Sequence, residues 1–415
     1  MTMNTMLKFL LITGFVLICT PVLATGNPGE KPVAVTSQTA TSFAAHLANL
    51  PANPPGLTAA ISPAGMVSKR AGTETAASDI PDVIVIPNRN TTNSMRVRGR
   101  IQGQYAFSSG SNDGGITDAD DYSSFEIRRV RLGVQGTLYG DFSYLVEANV
   151  LSNADLDAAT LTYSGLPSTN ITFGKAKPRF GHEQNTSSAS ILTFERTRLD
   201  GHLNGGKPIG LRLNGSILLL SYYLGVYNGQ SVGTGRMGSD TDSYLLNASG
   251  GLNLDGLIAD GFQTRFRADY LHRTNSNGYY RFEDAFAVSG QFGTGGIDLR
   301  AEYLSGSDSE NGDISGFYIL PSVFIVPETF QAVARYEQIS GDTGVSVGQN
   351  RYADRVPNLY ASGDEYTAWY IGVNYYIHSH NLKFMLGYEL AENRNSDTDV
   401  SGKASTIFSG FRMQF

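Results

Sequence analysis

From residue 95 to the C-terminus the chain alternates apolar and polar residues almost without a break, and no stretch there reaches 18 consecutive apolar residues. A period of two is that of a β-strand, whose successive side chains point to opposite faces. Crossing a membrane by helices needs ~20 apolar residues in a row, so strands are the only spanning element open to this chain. In "DFSYLVEANV" Phe142, Tyr144, Val146, Ala148 and Val150 share one face, and Ser143, Glu147 and Asn149 the other. "FQTRFRADY" sets Phe262, Thr264, Phe266, Ala268 and Tyr270 against Gln263, Arg265, Arg267 and Asp269. "IDLRAEY" and "NLKFMLGYE" repeat the pattern from Ile297 and from Leu382.

Sixteen such elements are predicted: 95–107, 123–138, 141–150, 158–164, 170–175, 208–214, 217–227, 244–253, 262–271, 285–292, 297–304, 315–325, 329–339, 366–377, 382–391 and 404–415. Tight connections such as "YGD" (139–141) and "GTGG" (293–296) alternate with long polar ones such as 108–122 and 305–313. An even strand count with short turns at one rim and long loops at the other describes an all-β transmembrane antiparallel barrel of the bacterial outer membrane. A soluble β-sandwich would also alternate, but it would not need Tyr and Phe at the ends of its apolar stripes, where a membrane barrel carries its aromatic girdles. The last strand, "IFSGFRMQF", ends the chain on Phe415. That ending resembles the signal by which outer-membrane barrels are recognised by their assembly machinery.

The barrel is assigned to 93–415, with both of its ends at the periplasmic rim and outer-membrane lipid and lipopolysaccharide around it. Before it, residues 1–24 read as a signal peptide: Lys8, then "FLLITGFVLIC", then a small-residue site at Val22–Ala24. Cys19 is the sole cysteine, so the exported chain carries no disulfide framework. Residues 25–92 are rich in Ala, Thr, Ser and Pro without a sustained period, and read as a disordered periplasmic segment with one candidate strand at "DVIVIP" (82–87). With 31 Lys+Arg against 38 Asp+Glu, the acidic balance speaks against a nucleic-acid partner.

"SMRVRGRIQGQYAF" (94–107) sets Arg96, Arg98 and Arg100 in alternation with Val97, Gly99 and Ile101. If Val97, Ile101, Tyr105 and Phe107 face lipid, the three arginines face the lumen, because an arginine on the lipid side costs ~2–4 kcal/mol near the midplane. Arg129 and Arg131 fall on the lumenal face of the next strand, and Arg265 and Arg267 on that of the ninth. Phe125 and Ile127 share the parity of Arg129, so a bulge or the exposed upper end of the strand is expected near Arg128. Rows of cations in a water-filled channel set ion preference. The third long connection, 176–207, holds Lys177, Arg179, Arg196, Arg198 and Lys207 against Glu183, Glu195 and Asp200. It also holds Phe180, Ile191, Leu192 and Phe194, which a solvated loop does not need. It is read as a constriction loop folded into the barrel.

"FEIRRVRLGVQGTLYGDFSYLVEAN" and "ITFGKAKPRFGHEQNTSSASILTFERT", with "YYLGVYNG" and "GFYILPSVFIVP", resemble the phosphate-selective porin O/P family over about 95–415. The resemblance implies a sixteen-stranded homotrimeric porin passing small anionic solutes. Its arginine-rich strand maps onto Arg128, Arg129 and Arg131, and its constriction segment onto Lys175, Lys177, Arg179 and Arg196. A structural or adhesive barrel is the alternative function. Catalysis is not expected: GxSxG, HExxH and GxxxxGK[ST] are missing, and His182 and His202 lie near Ser187, Ser188 and Asp200 without triad spacing. No metal and no cofactor is expected.

Overall fold

A computed structural model describes residues 84–88, 91–115, 117–151, 155–229, 243–275, 280–310 and 312–415. The signal peptide, Cys19 and the 25–92 segment up to residue 83 lie outside the described residues. The strands are β1 (Ile84–Asn88), β2 (Thr91–Asp113), β3 (Asp121–Leu138), β4 (Phe142–Asn149), β5 (Asp155–Leu166), β6 (Thr169–Lys175), β7 (Ile209–Ile217), β8 (Leu220–Asn228) and β9 (Tyr244–Asn253). They continue with β10 (Gln263–Arg273), β11 (Asp284–Thr294), β12 (Ile297–Ser307), β13 (Ile314–Val326), β14 (Phe330–Gly341), β15 (Glu365–His378), β16 (Leu382–Arg394) and β17 (Ser401–Gln414).

Each strand from β2 onward pairs antiparallel with the next, and β17 returns to pair with β2, so β2–β17 close a ring of sixteen strands. Closure follows from the solvent: an open edge in hydrocarbon leaves backbone groups unpaired, at several kcal/mol each. Burial is inside-out. Val97, Leu132, Phe173, Leu224, Ile371, Phe384 and Ile407 are exposed on the outer wall, while Gln102, Glu147, Asp269, Glu302, Glu389 and Arg412 are buried within. Aromatic contacts such as Tyr336–Trp369 (4.4 Å) and Tyr105–Phe125 (4.6 Å) run around the exterior.

The termini of the ring sit at the rim of the short turns, with Ser94 opposite Thr137 and the Phe415 amide bonded to the Gly99 carbonyl at 3.1 Å. A Cβ on Gly99 would lie 2.2 Å from the Phe415 ring, so only glycine leaves room for the last aromatic at the seam. Short turns such as 295–296 use left-handed residues, Gly295 (φ 57°) and Gly296 (φ 89°). β1 pairs with Thr91–Met95, on the edge of β2 opposite β3 that β17 no longer reaches.

Some boundaries differ from the sequence expectation. β2 runs on to Asp113 and shortens the first loop, because Ser108–Asp113 pair with β17 and the Ser108 and Thr406 hydroxyls meet at 2.8 Å. Above the bilayer both faces are polar, and the alternation that marks a strand disappears. The turn expected at 215–216 falls at 218–219, inside a run "ILLL" that carries no turn signal.

Candidate functional site

β2 and β3 form the basic wall of the lumen. Arg98 pairs with Glu147 at 3.1 Å and donates to the Gln135 side-chain carbonyl at 2.9 Å. Arg100 donates to the hydroxyls of Ser188 (2.7 Å) and Ser187 (3.1 Å). Arg96 lines a lumenal cavity of about 490 Å³ with Gln135, Thr160 and Thr162. On β3 the register slips between Gln102 and Gly103: Gln102 faces Arg129, Gly103 faces Ile127, and Arg128 is the extra residue. This bulge turns Arg128 and Arg129 into the lumen together while Phe125 and Ile127 stay outside, 87% and 52% exposed. Arg128 grips Glu195 with two bonds (2.8 and 3.2 Å). Arg129 donates to Gln102 at 2.9 Å. Arg131 lies between Asp157 (2.9 Å) and Glu147 (3.5 Å), and Lys207 also pairs with Asp157.

The third loop, 176–208, folds into the barrel and carries two short helices, α1 (His182–Asn185) and α2 (Arg198–Leu203). Phe180, Leu199 and Leu203 pack against Leu245, Leu271 and Phe282, and Leu192 against Tyr318, Leu320 and Val333. Polar docking follows a simple division. Wall carboxylates take loop amides: Asp269 accepts from Gly181 (2.9 Å), Glu302 from His182 (2.5 Å) and Glu337 from Leu199 (3.1 Å). Wall cations take loop carbonyls: Lys383 donates to Ile191 (2.7 Å), Arg335 to Glu195 (2.9 Å), and Arg412 to Ile191, Thr193 and Phe194 (2.7–3.0 Å). Several of the lumenal carboxylates and cations are thus occupied in holding the loop.

The loop supplies further cations, Lys177 and Arg196 part-buried and Arg179 exposed. Lys177 donates to the Gln184 carbonyl at 2.8 Å, and Arg196 to the carbonyls of Glu183 (2.9 Å) and Thr186 (2.7 Å), with Asp200 at 3.8 Å. Arg179 is exposed, and its backbone is fixed by Asn247. Burial favours the neutral form of Glu195, but Arg128 and Arg129 outweigh it and hold the carboxyl down at about 2. Among the described residues no carboxylate comes within 4.0 Å of Arg96, Arg100, Arg129, Lys177 or Arg179, while Arg98, Arg128, Arg196 and Lys207 each have one and Arg131 has two.

Arg265 and Arg267 are each paired, Arg265 with Asp255 (2.5 Å) and Arg267 with Asp269 (2.8 Å). Arg198 reaches the seventh loop, 342–364, where it donates to the Val347 carbonyl at 2.8 Å, and it lines one cavity with Arg128, Arg129 and Arg196. Lys175 ends β6, opposite Ala159 and Ile209, on the parity of Ile171 and Phe173, the outward face. The loop-anchoring Arg335, Lys383 and Arg412 were not singled out in the sequence. Their strand parity marks them as lumenal, but nothing local says that a loop lies over them.

A family model described as phosphate-selective porin O and P matches residues 96–303 and 308–415. Porin O of Pseudomonas aeruginosa is 25% identical over 178 residues, 38% of this chain and 39% of that protein, so the match spans about two-fifths of the relative's length. An anion-selective porin from Comamonas acidovorans superposes with a TM-score of 0.54 at 11% identity, covering 78% of this chain and 100% of that one. The outer membrane channel DcaP of Acinetobacter baumannii gives 0.52 at 13%, covering 78% and 97%. At these identities the structural likeness is one of fold.

Proposed function

Since the chain belongs to the phosphate-selective porin O and P family, we propose that it is a passive diffusion channel of the Gram-negative outer membrane that favours small anions, inorganic phosphate among them. Export by the N-terminal signal, insertion through Phe415 and assembly as a homotrimer belong to the same reading. The observation that carries it is that Arg100 and Arg129 on the wall and Lys177 on the in-folded loop have no carboxylate within 4.0 Å. Low-dielectric walls focus their field on the path. Guanidinium forks match the oxygens of phosphate and carboxylate, and their weaker hydration lets anions exchange. Glu147 and Asp157 temper the row, which favours a series of modest sites over one tight site, as conduction requires.

Reversal potentials of the purified barrel under a KCl gradient test the reading. The expected result is a chloride-favouring potential that collapses in the Arg98→Glu, Arg131→Glu double variant, with phosphate depressing the chloride current. A potassium-favouring wild type overturns the anion preference. A single-barrel mass by native mass measurement in mild detergent overturns the trimer.

A further inference from the structure

We propose that the seventh loop, 342–364, is a second aperture-setting element, a strap drawn across the channel mouth, and that Glu126 on β3 is the residue that positions it. The inference rests on the channel reading above. The strap does not stand above the rim. At its root Val345 and Val347 are fully buried in the cluster that holds Leu199, Leu203 and Tyr366, and the Val347 carbonyl takes Arg198 (2.8 Å) and meets His202 Nε2 at 2.7 Å. At its far end the Tyr360 amide donates to Asn112 on β2 (2.8 Å), and Gln349 donates to the Gly402 carbonyl on β17 (2.8 Å). The segment therefore crosses from the β14–β15 side to β17, β2 and β3 inside the barrel. Between it and the third loop lies a cavity of about 330 Å³ lined by Arg128, Arg129, Arg196, Arg198, Asn350 and Arg351.

Glu126 latches the middle of the strap. It accepts from the Tyr352 hydroxyl at 2.7 Å, pairs with Arg351, and lies 3.6 Å from Arg355. The Tyr352 ring meets Phe408 edge-on at 5.7 Å, and Asn350 donates to Glu389 at 2.6 Å. The bulge makes this latch possible. In an unbulged strand with Arg129 and Arg131 facing inward, Glu126 would face lipid; the extra residue at Arg128 brings both sets to the lumen. One strand thereby holds two loops, the third by Arg128–Glu195 and the seventh by Glu126–Arg351. Without the Glu126 charge, Arg351 and Arg355 would lose their carboxylate partner beside the unpaired Arg129, and like-charge repulsion would lift the strap.

Liposome swelling with neutral sugars of graded size reads the aperture independently of ion preference. Glu126→Gln is expected to pass larger sugars than the wild type and to raise single-channel conductance. As a control for folding, a Glu126→Cys, Arg351→Cys double variant is compared before and after joining by a short bifunctional thiol reagent. Apart from Cys19 in the expected signal peptide, the chain has no other cysteine. The bridged form is expected to show the wild-type cut-off, and the unbridged form a larger one. Equal cut-offs in bridged, unbridged and wild-type proteins, with the wild type conducting, overturn the strap alone. A wild type that passes no solute overturns the channel reading and the strap with it.

Discussion

Arg129 and Arg267 are the same residue type on the same face of the same kind of strand, and they differ in what lies beside them. Arg267 has Asp269 at 2.8 Å; Arg129 has the uncharged Gln102. A unit charge ~4 Å from a passing ion is worth about 1 kcal/mol in water-like surroundings, attractive for chloride and repulsive for potassium, so Arg129→Gln should lower the chloride-to-potassium permeability ratio by up to about thirtyfold. Reversal potentials in KCl check it, and an unchanged ratio would place Arg129 off the ion path. Lys177 carries a pH dependence. Burial first, and then Arg196, draw its ammonium down to about 7. It is charged below that value and neutral above, so anion preference should weaken as pH rises from about 6 to about 8. Lys177→Arg keeps the charge at every such pH and should flatten the profile. A flat wild-type profile would count against the role given to Lys177.

At the scale of the element, the third loop behaves as a short domain docked by its backbone. Its apolar residues announced this. Phe180, Ile191, Leu192 and Phe194 are 2–4% exposed, and burial of such side chains is what an in-folded loop gains over a solvated one. The polar half of the docking was not legible. Arg412 lies more than two hundred residues from the carbonyls it binds, and sequence separation carries no trace of that pairing. Arg412→Met would leave the carbonyls of Ile191, Thr193 and Phe194 without this donor, a loss of roughly 1.5–3 kcal/mol for each charge-assisted bond actually forgone. The expected outcome is a lower thermal midpoint and noisier open-channel current, with the reversal potential nearly unchanged. A strong change in selectivity with quiet current would mean that Arg412 acts on ions directly.

At the scale of the whole molecule, the seam between β17 and β2 closes the ring, and the Phe415 ring over Gly99 fills its lower end. Gly99→Leu displaces that ring. Fewer folded barrels should be recovered, seen as loss of the heat-modifiable band on electrophoresis, and an unaffected yield would show that closure does not depend on the socket. The sequence by itself determined the number of strands in the ring and the faces of most of their side chains, because alternation is a local property of the extended backbone and the bilayer enforces it at lipid-facing positions. It placed Arg96, Arg98, Arg100, Arg129 and Arg131 in the lumen, and a break in parity near Arg128 left a bulge or the upper end of the strand as alternatives, between which the register with β2 decides for the bulge. The tertiary structure decided which of the lumenal charges remain unpaired. Asp157 meets Arg131 and Lys207, Asp269 meets Arg267, Glu126 meets Arg351, and Lys175 turns outward at the end of its strand. The pairings of Asp157 and Glu126 follow from neighbouring strands and the in-folding of two loops, which bring together residues far apart in the chain, whereas Arg267 and Asp269 already share one face of one strand; a charge's effect depends on its nearest neighbours in space.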